Sequence, residues 1–124
     1  MGSVYTLIPR PIGIFAGLDM TSRYAFGLIY DRWQLSRKEK NRERFTDSYG
    51  LYCVYSRDAM AAEMGVSLPT LRKAIKSLRD YGLIRTRMTV NGDAWRYYIP
   101  DSTLDEIESL VQDLLPDSIL GHYG

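Results

Sequence analysis

The residues able to do chemistry in this chain are cations, and they gather in two adjoining stretches. At about 100° per residue, Leu71, Ala74, Ile75 and Leu78 fall within an arc of roughly 100°, the width of a buried helical stripe. The opposite side then carries Pro69, Arg72, Lys73 and Lys76, with Thr70 at the flank, Arg79 near the core's edge and no acid until Asp80. Such residues suit duplex DNA. Arginine bonds bidentately to guanine O6 and N7, threonine reaches a base edge or a thymine methyl, and lysine neutralises phosphate without fixed geometry. Ser67 and the free N–H groups of the helix start add a phosphate site. Taken alone, three cations on a helix are more often merely a solvated face. The second stretch tips the reading: Arg85 and Arg87 project from one face of an alternating strand, Arg96 lies on its partner, and Asn91-Gly92 makes a small tip that can approach a groove. The expected DNA-binding set is Ser67, Thr70, Arg72, Lys73, Lys76, Arg85, Arg87, Asn91 and Arg96.

Other chemistries find no matching pattern. With one cysteine, Cys53, and one histidine, His122, the chain offers neither an intramolecular disulfide nor a Cys/His zinc site. Asp31, Glu39, Glu43, Asp47 and Asp58 are scattered among cations, no glycine-rich phosphate loop is present, and neither Cys53 nor His122 has a catalytic partner in view. No catalytic residue, metal or cofactor is expected, and the chain reads as a non-enzyme.

The 124 residues, 45% hydrophobic and 25% charged, match one compact domain. A net charge of +1 conceals an asymmetry. Residues 1–100 hold all 16 basic residues against 9 acids, a balance of +7, whereas 101–124 hold 6 acids and no Lys or Arg. No apolar run approaches the roughly 20 residues of a membrane span, and the start lacks the basic and apolar regions of a signal peptide, so no membrane partner and a cytoplasmic location are expected.

These side chains need positioning elements. Residues 1–18 read as an extended piece with one helical turn. Asp19 or Thr21 caps a helix to about Leu35, with Ala25, Leu28, Ile29 and Trp33 on one buried face. Residues 36–47 read as a solvated helix end and loop, and 51–55 as a strand. Ser56 caps a helix over 57–64, Gly65-Val66-Ser67 is a tight turn, and Ser67 caps a helix over 68–81 that exits at Gly82. Strands over 83–90 and 94–99 form a hairpin at Asn91-Gly92. The capping box Thr103-Leu104-Asp105-Glu106 opens a helix bearing Leu104, Ile107, Val111 and Leu114, which ends at Pro116. This is the element order of a winged helix. The expected fold is α+β and mostly helical: a winged helix-turn-helix with a small three-stranded sheet and an added C-terminal helix. Residues 1–100 are assigned as the winged-helix DNA-binding domain, and 101–124 as an acidic helix and tail, either a dimer element or the start of a linker.

The block Val66 to Ile84 resembles the recognition helix of many bacterial winged-helix proteins, GntR-type regulators among them. More specific are Tyr5-Thr6-Leu7-Ile8-Pro9, the run Tyr24 to Ser36, Asp47-Ser48-Tyr49-Gly50 and Tyr52-Cys53-Val54-Tyr55. Together, over roughly residues 5–100, they resemble the amino-terminal domain of plasmid replication initiator A (the RepA_N family). That resemblance implies a protein of low-GC Gram-positive plasmids that binds origin repeats in double-stranded DNA as a homodimer. It also implies recruitment of host replication proteins through a separate carboxy-terminal domain similar to DnaD-type modules, for which this chain has no room. By the same resemblance the DNA-contacting helix is 67–79 and the wing 85–96, although Leu68 and Pro69 stand where GntR-type proteins often have polar residues. Two alternatives stay open: a transcription regulator of the same fold, of GntR or MarR-like type, and a winged helix using a tyrosine-rich surface (10 Tyr) for protein contact.

Overall fold

The computed structural model describes residues 11–89 and 95–114. The expected Asn91-Gly92 turn, the Tyr5 to Pro9 block and the tail beyond Leu114 lie outside the described residues.

After a 3-10 turn at Gly13–Phe15, helix α1 spans Met20–Arg37 and is capped by Asp19, whose carboxylate accepts the Ser22 N–H at 2.8 Å. The sequence predicts one buried face for this helix. The structure buries every residue from Ala25 to Tyr30, because the helix that follows the turn packs on one side of α1 and the sheet on another. An aromatic row, Phe15, Phe26, Tyr30 and Trp33, runs along α1 with ring centroids 5.3, 6.0 and 6.2 Å apart, spacings at which aromatic pairs attract. Burying α1 on several sides makes it the central post of the domain.

The polar segment 36–47 is more ordered than its composition predicts. It contains helix α2 (Glu39–Arg42) and strand β1 (Thr46–Asp47), so the small sheet has four strands, not three. A reversal at residues 47–50 accounts for the extra strand. Asp47 Oδ1 accepts the Tyr49 N–H at 2.7 Å, a side-chain-closed turn, and Gly50 supplies a φ of 116°. Strand β2 (Gly50–Val54) then pairs antiparallel with β1 on one side and with β4 (Trp95–Tyr98) on the other, and β3 (Arg85–Met88) closes the order β1-β2-β4-β3.

Between β2 and β3 stand α3 (Arg57–Met64) and α4 (Leu68–Asp80). Ser56 caps α3, accepting the Ala59 N–H at 3.0 Å, and Gly65 stops it in the left-handed conformation at φ 71°, ψ 32°. Two residues later Ser67 caps α4. Met60, Leu71, Ile75 and Leu78 are fully buried against α1, fixing the angle of the helix pair.

The last helix, α5 (Asp101–Leu114), begins two residues before the expected cap. Thr103 sits inside its first turn, buried, with its hydroxyl donating to the Gly82 carbonyl at 3.4 Å. Pro100 ends the preceding strand, and its carbonyl accepts the N–H groups of Thr103 and Leu104, so the helix starts directly after it. Ile107 enters the core, and Leu110 lies over Gly13, where an added Cβ would meet its methyl carbons at 2.8 Å. Helix α5 is thus seated on the domain.

Candidate nucleic-acid interface

Helix α4 divides as its spacing requires. Leu71, Ala74, Ile75 and Leu78 are buried, while Pro69, Thr70, Arg72, Lys73, Lys76 and Arg79 are exposed on the other side. At its start, Ser67 Oγ accepts the Thr70 N–H at 3.3 Å and donates to Thr70 Oγ1 at 2.9 Å, so the two hydroxyls fix each other. Lys76 bonds Asp80 at 2.8 Å, an i,i+4 pair with both side chains largely in water and hence easily exchanged for a phosphate. Lys73 lies close enough to help hold the Asp19 carboxyl below its ordinary range, behind the hydrogen bonds from Ser22 and alongside Arg23. Arg72 and Arg79 make no ion pair among the described residues.

The wing arginines behave differently from one another. Arg85 and Arg87 are exposed on one face of β3, as the alternation predicts. Arg96 stands directly across from Arg87, an arrangement in which like charges repel. Both guanidiniums instead find partners on that face. Arg96 bonds Asp47 Oδ2 at 2.8 Å and lies 4.4 Å over the Tyr52 ring, whereas Arg87 stacks 3.7 Å over Tyr49. Of the predicted wing set, Arg85 and Arg87 make no ion pair among the described residues, Arg96 is largely committed to Asp47, and Asn91 lies outside the described residues.

Asp47 is the hub of this corner. It accepts from Arg96, from the Tyr98 hydroxyl at 2.5 Å and from the Tyr49 N–H. Burial pushes its carboxyl up, but the bonds from Tyr98, Tyr49 and Arg96 outweigh burial and leave it below the ordinary value of 3.8. The same burial and the bond to Asp47 raise the Tyr98 phenol.

One residue with the right chemistry escaped the sequence reading. Arg57, the first residue of α3, lies 3.8 Å over the ring of Trp95 at the start of β4, tying the helix pair to the wing through a cation–π contact. Its sequence signal is weak, an arginine directly after a capping serine. Cys53 is inert by construction: it is fully buried, its thiol is pushed up to about 12 by burial, and its Sγ faces the Ile29 carbonyl at 3.6 Å. Among the described residues no three His, Cys, Asp or Glu side chains cluster to hold a metal, and no helix is long and apolar enough to cross a membrane.

No protein-family model matches the chain, and no curated protein sequence does. Solved structures do. One described as the N-terminal domain of a DNA-binding protein shares 22% identity, with a TM-score of 0.53 over 92% of this chain and 86% of its own. A chain from a Rep–DNA complex shares 20% identity, with a TM-score of 0.55 over 88% and 85%. A structure of an MDR initiator shares 18% identity, with a TM-score of 0.53 over 83% and 83%. At these identities the likeness is one of fold: the chain has the α+β winged-helix architecture that these DNA-binding and initiator structures also have.

Proposed function

We propose that this chain binds double-stranded DNA sequence-specifically, at repeated sites of a plasmid replication origin, as the DNA-binding domain of a replication initiator. The observation that carries the reading is the exposed face of α4, cationic and seated from behind by Leu71, Ala74, Ile75 and Leu78. A helix anchored in this way presents its arginine and lysines to a major groove without reordering. In this reading Arg72 and Thr70 read base edges. Lys73, Lys76 and the α4 start at Ser67 hold phosphates, and Arg85 and Arg87, together with Asn91 and Arg96, meet the flanking backbone. The origin is favoured over a promoter because the fold is shared with a Rep–DNA complex and an initiator. The chain acts as a homodimer in the cytoplasm, without catalysis, and engages host replication proteins through a further carboxy-terminal domain.

The test is binding of the chain to a duplex bearing origin repeats and to a scrambled duplex of equal length. Arg72→Ala is expected to cost about 1 to 3 kcal/mol on the repeats and little on the scrambled duplex. Equal losses on both would remove Arg72 as a base reader, and no preference for repeats in the unmodified chain would remove the origin.

A further inference from the structure

A second constellation lies at the end of the sheet. Register places Arg85 opposite Tyr98, Arg87 opposite Arg96, and Tyr98 opposite Tyr52, so these side chains share the face opposite Cys53 and Tyr97. The β1–β2 turn brings Tyr49 to the same place, under the Arg87 guanidinium and edge-on to Tyr98 at 6.4 Å between centroids. Beside them opens a cavity of about 780 Å³ with Arg85 and Arg87, Tyr49 and Tyr98 on its walls and Leu51 and Ile99 beneath, a volume within the range of ligand sites. No residue of α4 lines it.

Three features give the cavity its chemistry. Tyr49 is 64% exposed although Arg87 lies over its ring and Tyr98 meets it at an edge, so most of the side chain is open to solvent. The turn that carries the ring is fixed, because the Tyr49 backbone N–H is tied to Asp47, which is itself bonded to Arg96 and Tyr98, and the ring itself is contacted by Arg87 and Tyr98. Arg85, two residues along the strand from Arg87, makes no ion pair among the described residues. An exposed aromatic ring beside two arginines on one strand face, their Cα atoms roughly 7 Å apart, matches a flat ring carrying an anion, the composition of a nucleotide. A duplex keeps its bases stacked inside, whereas an unpaired strand offers them. Asp101 on the rim adds a choice between sources, since it repels the doubly charged phosphate of a free mononucleotide more than the singly charged phosphodiester of a strand.

We infer that this cleft binds unpaired nucleotides of single-stranded DNA, with a base stacked on the exposed ring of Tyr49 and the adjoining phosphates held by Arg85 and Arg87. The site goes beyond the duplex reading and does not depend on it; the two share Arg85 and Arg87, which hold either the flanking duplex backbone or the phosphates of the strand, and Tyr49 belongs to the single-strand site alone. A chain that grips duplex with α4 and an unpaired strand with the sheet end can hold the two forms of DNA at a melted junction.

The probe is a short fluorescent oligothymidylate, titrated at low salt with the full chain and followed by anisotropy, in parallel with a duplex. Saturable binding of the oligomer is expected, weakened about tenfold in Tyr49→Ala and retained in Tyr49→Phe, because stacking on an aromatic face carries the contact. Arg85→Gln, at an exposed residue without an ion pair among the described residues, serves as the second variant and is expected to weaken the oligomer several-fold. Duplex affinity should stay unchanged in Tyr49→Ala, and Arg72→Ala should lower duplex affinity while sparing the oligomer. The inference is overturned if the oligomer does not saturate, if Tyr49→Ala and Arg85→Gln bind it normally, or if Arg72→Ala weakens both DNA forms alike. Competition by thymidine monophosphate or by polyglutamate at concentrations matching the oligomer would likewise overturn it, pointing to a free nucleotide or an acidic peptide instead.

Discussion

Removing the Asp47 carboxylate probes whether the wing is fastened as the structure shows. In Asp47→Ala three donors lose their acceptor: the Arg96 guanidinium at 2.8 Å, the Tyr98 hydroxyl at 2.5 Å and the Tyr49 N–H at 2.7 Å. The Asp47 side chain is 18% exposed and Arg96 32%, so water replaces part of what is lost. Hydrogen bonds to a charged group contribute about 1.5 to 3 kcal/mol each, so three would give about 4.5 to 9 kcal/mol; water reaching the partly exposed Arg96 and the freed Tyr98 and Tyr49 donors restores more than half of this and leaves a loss of about 2 to 3 kcal/mol. Asp47→Asn keeps an acceptor and loses the charge, and should cost about 1 kcal/mol. Urea denaturation followed by the fluorescence of Trp33 and Trp95 measures both values. The pH dependence has a definite sign. Because the folded carboxyl titrates below its ordinary 3.8, its contribution is present above that pH and is lost as the pH falls through the folded value, so the stability gap between the native chain and Asp47→Asn should narrow below about pH 4. A loss under about 0.5 kcal/mol in Asp47→Ala, or a gap that widens on acidification, would refute the fastening.

Three further outcomes are expected. Ile75→Ala, which empties a site 1% exposed behind the cationic face of α4, should destabilise the chain by about 2 to 4 kcal/mol in the same urea assay. Gly65→Ala, at φ 71°, should cost about 1 to 2 kcal/mol although open space surrounds the position, because the backbone alone supplies the strain. The Cys53 thiol should resist alkylation by iodoacetamide in the folded chain at pH 8 and react promptly in urea, as read by mass spectrometry; fast labelling of folded protein would contradict its burial.

The helix-turn-helix was legible in the sequence because its instructions are local. Ser56, Gly65, Ser67 and Pro69 act on backbone within one helical turn, and the structure places caps and stop at those residues. Elements fixed by distant partners were not legible. Strand β1 is two residues long and is held through Asp47 by Arg96 and Tyr98, 49 and 51 positions away, which no periodicity in 36–47 encodes. The same pairing withdraws Arg96 from the free wing cations, and only the register reveals it. Periodicity finds one apolar face on α1 but not the packing that encloses its other sides. Thr103 has the pattern of a capping box and instead points to the Gly82 carbonyl, a contact set by the docking of α5. Arg57 gains its meaning from Trp95, across the fold.

The central claim is that the outer face of α4 meets phosphates of a duplex, and the salt dependence of binding measures this most directly. Titrating a repeat-bearing duplex at several salt concentrations with the native chain and with Lys73→Ala/Lys76→Ala gives the slope of log affinity against log salt. The slope is predicted to fall in magnitude by roughly 0.9 for each phosphate contact removed. An unchanged slope and unchanged affinity in the double variant would contradict it.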